Sequence, residues 1–202
     1  MRYVHGIGIN LRRLQGQVDI RAELGLPAES FLVLSIGELN SNKNHQIMIQ
    51  ALARLKDPRI HYLLCGKGAL KEHLEALAEK LGLKNNVHFL GYRQDVVDIC
   101  AQADVFAFPS RREGLGMAPL EAMCCGLPLV ASDVRGVRDY AVDGKSGFLR
   151  NSEDVSGFAQ AIQVLKDDPA LRRRCGEFNR EAVKMYLLEP VLSEILDLLN
   201  NI

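Results

Sequence analysis

Two glutamates, Glu113 and Glu121, lie within the segment FPSRREGLGMAPLEAM, residues 108–123. Gly114 and Gly116 separate them from a run of strong helix formers, and Arg111 and Arg112 come just before. A glycine loop that runs into a helix aims backbone N–H groups and the positive end of a helix dipole at one spot. Here those N–H groups are on Gly114, Leu115, Gly116 and Met117. Glycine also lets a ligand come close to the backbone. The expected chemistry is anion binding. A carboxylate beside a phosphate is repelled, so the two glutamates suit hydroxyl groups instead, as of a sugar and a ribose. The residues alone leave a plainer reading open. Glycine-bearing strand–loop–helix junctions occur throughout doubly wound α/β domains, and many bind nothing there.

The elements that must position this loop follow from hydrophobic patterning. Short apolar runs at 31–37, 60–66, 87–91, 104–108 and 127–132 read as buried parallel strands, with a last short strand from Phe148. Helical spacing fills the intervals: a helix over 43–56, one over 69–81, one starting at 92–95, and one from about Pro119, which places Glu121 about two turns beyond Glu113. Residues 21–27 read as a short helix stopped by Gly25, and 133–143 as a loop or short helix. From Asn151 onward the chain reads as helices broken at Asp168-Pro169, with Arg172, Arg173 and Arg174 on a solvated face and an apolar closing helix from Pro190.

The expected fold class is α/β, a Rossmann-like doubly wound parallel sheet of about six strands with helices on both faces and extra C-terminal helices. The whole chain, 1–202, reads as a single domain: an opening segment 1–30, a sheet core 31–150 and C-terminal helices 151–202. In such folds ligands bind outside the C-terminal ends of the strands. Lys43, Gly66 of the Gly66-Lys67-Gly68 turn, Tyr92, Arg93, Glu113 and Glu121 all fall at or just after such ends.

Composition narrows the class. The 202 residues carry 25 basic and 25 acidic side chains, so a general nucleic-acid binder, which needs a basic excess, is not expected. Five cysteines form no C-x-x-C pair and no zinc spacing, which suits free thiols in a reducing cytoplasm. No stretch has the roughly twenty apolar residues of a membrane span, and the start does not read as a signal peptide. The Gly66 loop lacks the Lys-Ser/Thr end of a Walker A motif. Asp95 and Asp98 do not form a D-x-D metal motif.

The segment PSRREGLGMAPLEAMCCGLPLVASD resembles the E-x7-E signature of the retaining family-4 glycosyltransferases of the GT-B class, over about twenty-five consecutive residues. Further stretches are similar to other motifs of that family. VHGIGIN (4–10) matches the start of the second GT-B domain, GELNSNKNH (37–45) the G-R-L-x-x-x-K-G loop, and VRGVRDYAVDGKSGFL (134–149) a later glycine-rich loop with Asp139 at its acidic position. The resemblance implies the donor-binding C-terminal domain, with the N-terminal acceptor domain absent. It implies a nucleotide-sugar donor, UDP-sugar favoured, retention of configuration, and no metal or other cofactor. The acceptor would be a glycan or polyprenyl-linked molecule bound by the missing domain, in a bacterial polysaccharide pathway at the cytoplasmic side. By the same resemblance Glu113 is the catalytic-site carboxylate, contacting sugar hydroxyls. Lys43 holds the diphosphate, Glu121 the ribose, and the N–H groups of 114–117 phosphate or sugar. Gly66 lies near the donor.

Some positions stay open. Glu38 stands where the family has an arginine, and a carboxylate cannot act as a cation. Either Arg111 or Arg112 supplies the charge, or donor binding is weaker. Tyr92 or Arg93 stacks on the nucleobase, or Tyr92 only covers the sheet edge. The closing helix either mediates self-association or packs on its own domain. The isolated chain is expected to be inactive in transfer, and the alternative is a non-catalytic nucleotide- or sugar-binding module or partner subunit.

Overall fold

The computed structural model describes residues 18–199. The VHGIGIN segment (4–10), expected to open the domain, lies outside them. The first element among the described residues is helix α1 (Ile20–Leu24), which Asp19 caps by accepting from the Ala22 N–H and Gly25 ends in a left-handed turn. Strands and helices then alternate: β1 (Phe31–Ile36), α2 (His45–Leu55), β2 (Ile60–Cys65), α3 (Lys71–Lys80), β3 (Val87–Gly91), α4 (Val96–Cys100), β4 (Val105–Phe108), α5 (Met117–Cys124), β5 (Leu129–Ser132), α6 (Arg135–Arg138) and β6 (Gly147–Arg150). Three more helices follow, α7 (Val155–Asp167), α8 (Pro169–Ala182) and α9 (Leu188–Leu199), with a single 3-10 turn at Lys184–Tyr186.

The six strands form one sheet in the order β3-β2-β1-β4-β5-β6, and every pair is parallel. Parallel strands need crossovers, and the intervening helices supply them on both faces. Strand residues therefore alternate between two cores. Val33, Tyr62, Leu64, Val105, Ala107 and Val130 join one core with residues of α2, α3 and α7. Leu32, Leu34, Leu63, Phe106, Leu129 and Ala131 join the other, with residues of α1, α4, α5 and the Tyr140–Tyr186 region. Because both faces are covered, these strands are continuously apolar rather than alternating.

Two helix starts and the placement of one arginine depart from the sequence expectation. Helix α2 starts at His45 because Asn44 takes a left-handed conformation, φ 54°. Helix α5 starts at Met117, and Pro119 fits in its first turn, where no intrahelical acceptor awaits its nitrogen. Glu121 is therefore about one turn into the helix. Arg172 is not on a solvated face. Its guanidinium donates to the last carbonyls of α7, Leu165 and Lys166, and lies 5.2 Å from the centroid of the Phe31 ring. Unpaired carbonyls and negative dipole at a helix C-terminus attract such a cation. Arg174 is exposed, as expected.

The C-terminal helices are tied to the sheet. Asp168 caps α8 by accepting from the Leu171 N–H at 2.8 Å, with Pro169 in the first turn. Fully buried Asn179 donates to the carbonyls of Leu127 and Ser146, at 2.7 and 3.0 Å. On α9, Leu192 and Leu196 are exposed while Val191 is buried.

Candidate functional site

The strand order reverses direction between β1 and β4, which opens a crevice at their C-terminal ends. The β1–α2 loop and the β4–α5 loop line it. Asn42 joins them: its carbonyl accepts from the Arg111 N–H at 2.8 Å, and its side chain bonds the Arg112 backbone on both sides, at 2.9 and 3.2 Å. Asn44 adds a bond from its side-chain amide to the Ser152 carbonyl at 2.8 Å. The two loops thus form one unit.

This unit brings Lys43 and Glu113 together, seventy positions apart in sequence. Lys43 Nζ donates to Glu113 Oε2 at 2.6 Å. The lysine stem passes over the backbone of Gly37, where a Cβ would lie 3.6 Å from its Cδ and Cε. Its ammonium lies 5.0 Å from the centroid of the Phe108 ring. The Glu113 stem packs against Gly116, where a Cβ would come within 3.2 Å of both Glu113 Cγ and the Phe108 ring. Gly116 has φ 80°, so glycine is required there by conformation as well as space.

Other glycines set the loops against each other. A Cβ at Gly136 of α6 would fall 2.0 Å from the Gly114 carbonyl oxygen and 2.6 Å from that of Glu113. A Cβ at Gly66 would fall 1.8 Å from the Gly37 carbonyl oxygen. The Gly37 N–H donates to the Cys65 carbonyl and the Gly66 N–H to the Gly91 carbonyl, at 2.9 and 2.7 Å, so three strand ends are linked in series.

A polar chain runs beneath the crevice. His45 Nδ1 contacts the Tyr62 hydroxyl at 3.1 Å. Tyr62 donates to Ser35 Oγ at 2.9 Å, and Ser35 to the Ala107 carbonyl at 2.6 Å. The chain crosses β2, β1 and β4 under the two loops. Burial first, and then the charge of Lys43, hold the His45 pKa down at about 4, so the ring is neutral at neutral pH. Tyr140, after α6, is buried and its hydroxyl is pushed up, chiefly by burial and next by the charge of Glu113. The Tyr140 hydroxyl and the buried hydroxyl of Ser110, at the loop's start, have no hydrogen-bond partner among the described residues. Sequence reading missed His45, Tyr62, Gly136 and Tyr140. Only the glycine at 136, in a stretch otherwise rich in side chains, gave a local signal.

Next to the crevice is a cleft of about 360 Å³ lined by Ile36, Glu38, Gly66, Lys67, Tyr92 and Arg93, among others. Tyr92, at the rim of the cleft, is 71% exposed. Arg93 is committed elsewhere. It forms ion pairs with Glu23 at 2.6 Å and Asp95 at 2.7 Å, and first Asp95 and then Glu23 raise its already high pKa. It forms wall rather than free charge. Arg111 also turns away, pairing with Glu153 at 3.1 Å near the start of α7. Arg112 is exposed, with its backbone held by Asn42. The Glu38 carboxylate accepts from Asn40 at 3.0 Å. Glu121 is half-buried on α5, whose neighbouring Leu120 and Ala122 are fully buried. Among the described residues, no group of three or more His, Cys, Asp or Glu is placed to hold a metal ion. No helix among them is long and apolar enough to cross a membrane. The five cysteines are free, with Cys65, Cys100 and Cys175 buried.

Comparison with known proteins agrees with this geometry. The family described as "Glycosyl transferases group 1" matches residues 17–182. The chain is 35% identical over 202 residues to a protein named putative glycosyltransferase EpsD from Bacillus subtilis (strain 168), covering 96% of this chain and 53% of that protein. It is 33% identical to the lipopolysaccharide core biosynthesis glycosyltransferase LpsE of Rhizobium meliloti (strain 1021), covering 86% and 53%. Among solved structures, Anabaena HepE in complex with UDP and glucose superposes with a TM-score of 0.88 at 26% identity, covering 96% of this chain and 56% of HepE. The chain spans about half the length of these relatives. With the family matched over most of its length and the sheet order and loop geometry in place, the chain belongs to the group 1 glycosyl transferases.

Proposed function

We propose that this chain is the donor-binding half of a retaining, metal-independent glycosyltransferase that uses a nucleotide-sugar, with UDP-sugar favoured. The observation that carries the reading is the Lys43–Glu113 pair, assembled by two loops at the point where the strand order reverses. Lys43 binds the diphosphate. The N–H groups of Gly114, Leu115, Gly116 and Met117 bind phosphate or sugar at the start of α5. Glu113 contacts sugar hydroxyls and stabilises the positive charge that develops on the sugar. Glu121 accepts from ribose hydroxyls, and Tyr92 stacks on the base at the rim of the cleft walled by Gly66 and Arg93. Charge that develops on a leaving diphosphate is stabilised best by donors fixed in place beforehand. That HepE is solved with UDP-glucose supports the choice of uridine.

The acceptor, a glycan or lipid-linked molecule of a bacterial polysaccharide pathway at the cytoplasmic side, binds the other half of the enzyme. The names of EpsD and LpsE support the enzyme class and, for LpsE, lipopolysaccharide synthesis. We take the acceptor wall to come from that other half, so the donor-binding half by itself is expected not to transfer sugar at a useful rate. A second reading, a binding module without catalysis, is favoured by Glu38, which removes a cation from the β1–α2 loop while Arg111 turns to Glu153.

Calorimetric titration with UDP, GDP and ADP tests the site, repeated on Lys43→Ala and Glu121→Ala. Binding of one nucleotide that both substitutions weaken supports the donor site and names its base. No binding by the folded chain opposes it. Turnover by the chain alone at the rate of a two-domain relative would reject the half-site reading.

A further inference from the structure

In this structure the two groups proposed to meet the donor, Lys43 and Glu113, are bound to each other. Lys43 and Glu113 retain only 23% and 16% of side-chain exposure, so their attraction is less screened than that of a surface pair. Both stems are held, the lysine across Gly37 and the glutamate against Gly116. Donor binding therefore calls for a change of partner at the charged ends rather than a large movement of either residue.

We infer that Lys43 and Glu113 act as an exchange pair. The diphosphate takes the Lys43 ammonium, and the released Glu113 carboxylate becomes an acceptor for the hydroxyls of the attached sugar. This inference rests on the donor-site reading above and adds a rule of selectivity to it.

The rule follows from electrostatics. A diphosphate carries more negative charge than a carboxylate and competes well for the ammonium. Once displaced, the Glu113 carboxylate sits next to that diphosphate without its cation, which is costly in a partly buried site. The Gly114 N–H, 3.3 Å from Glu113 Oε1, reaches only one of the two oxygens. Sugar hydroxyls supply donors to the other. A nucleoside diphosphate without sugar leaves that oxygen unsatisfied, and Glu113 then competes to regain Lys43. The pair thus favours the intact nucleotide-sugar over the free diphosphate. After transfer, recapture of Lys43 by Glu113 helps expel the spent nucleotide. A free sugar binds poorly, because Glu113 is occupied until a diphosphate arrives.

The test is titration of this chain with UDP and UDP-glucose, and with UMP as a control, on the wild type and on Glu113→Gln. The substitution keeps the shape and removes the charge. The expected result is UDP binding about three- to tenfold tighter, the range of a partly shielded ion pair. UMP binding should change little, and the preference for UDP-glucose over UDP should shrink. Lys43→Ala should weaken both diphosphates. UDP binding in Glu113→Gln that equals or falls below the wild type overturns the exchange and leaves the donor site standing. Failure of the folded wild type to bind UDP, GDP or either sugar nucleotide overturns both.

Discussion

At the residue scale, the site depends on a few atoms placed where backbone nearly touches backbone. Tyr92 is the clearest separable contributor, since its ring is largely exposed and packs little. Tyr92→Ala should leave the urea unfolding midpoint unchanged and cost about 1–3 kcal/mol of nucleotide affinity, the range for base–aromatic stacking. Calorimetry and equilibrium unfolding on the same sample check this, and an unchanged affinity would remove Tyr92 from the base site. Gly136 is the opposite case. It touches no proposed ligand, but its lack of a side chain lets Glu113 and Gly114 lie where they do. Gly136→Ala should destabilise by about 1–3 kcal/mol, as overpacking does. It should also weaken UDP binding under conditions where the variant is fully folded. A pure loss of stability with wild-type affinity would mean that the loop yields without disturbing Glu113.

At the element scale, the sheet is held by polar ties as well as apolar cores. Asn179 is one such tie, joining α8 to the ends of β5 and β6 through two carbonyls. Removing it leaves those carbonyls without their side-chain donor in a buried setting. Asn179→Ala should cost about 1–3 kcal/mol in urea unfolding. Leu127 and Ser146 precede the N-terminal ends of β5 and β6, opposite the crevice at the C-terminal ends, so UDP affinity at full folding should not change. The cap at Asp168 and the Arg172 contacts at the end of α7 serve the same corner, which shows how three arginines adjacent in sequence divide into one structural residue, Arg172, and two exposed ones, Arg173 and Arg174.

At the scale of the whole molecule, pH acts through buried histidines. Burial and Lys43 lower His45 to about 4. Burial and the neighbouring His61 lower His88 to about 4, and the two rings meet at 3.1 Å. A folded-state pKa below the unfolded value near 6.5 means that the unfolded chain binds protons first as pH falls. Stability from these groups is fully present above about pH 6.5 and is lost as pH drops toward 4. For His45 alone the loss between pH 7 and pH 5 should be on the order of 1–2 kcal/mol. Urea unfolding at the two pH values measures it, and His45→Gln should flatten the dependence. An equal pH dependence in that variant would assign the effect to other groups.

The sequence alone determined the strands, the crossover helices and the loop–helix junction that carries Glu113 and Glu121. These signals are local: apolar runs of strand length, helical spacing and glycines at turns. Even the family was legible, because its motif is a contiguous stretch with fixed spacing. The tertiary structure decided which distant residues share the site. Nothing in the order of residues states that Lys43 meets Glu113, that Gly136 clears room for Gly114, or that Tyr62 and Ser35 join His45 under the crevice. It also decided which carboxylate each cation meets. Arg93 and Arg111 look equivalent to Lys43 as cations in sequence, yet Glu23, Asp95 and Glu153 hold them to the walls, while Lys43 pairs with Glu113 inside the crevice. Such pairings depend on strand order, and strand order is set by how two cores bury their apolar faces across the whole sheet, which no local pattern encodes.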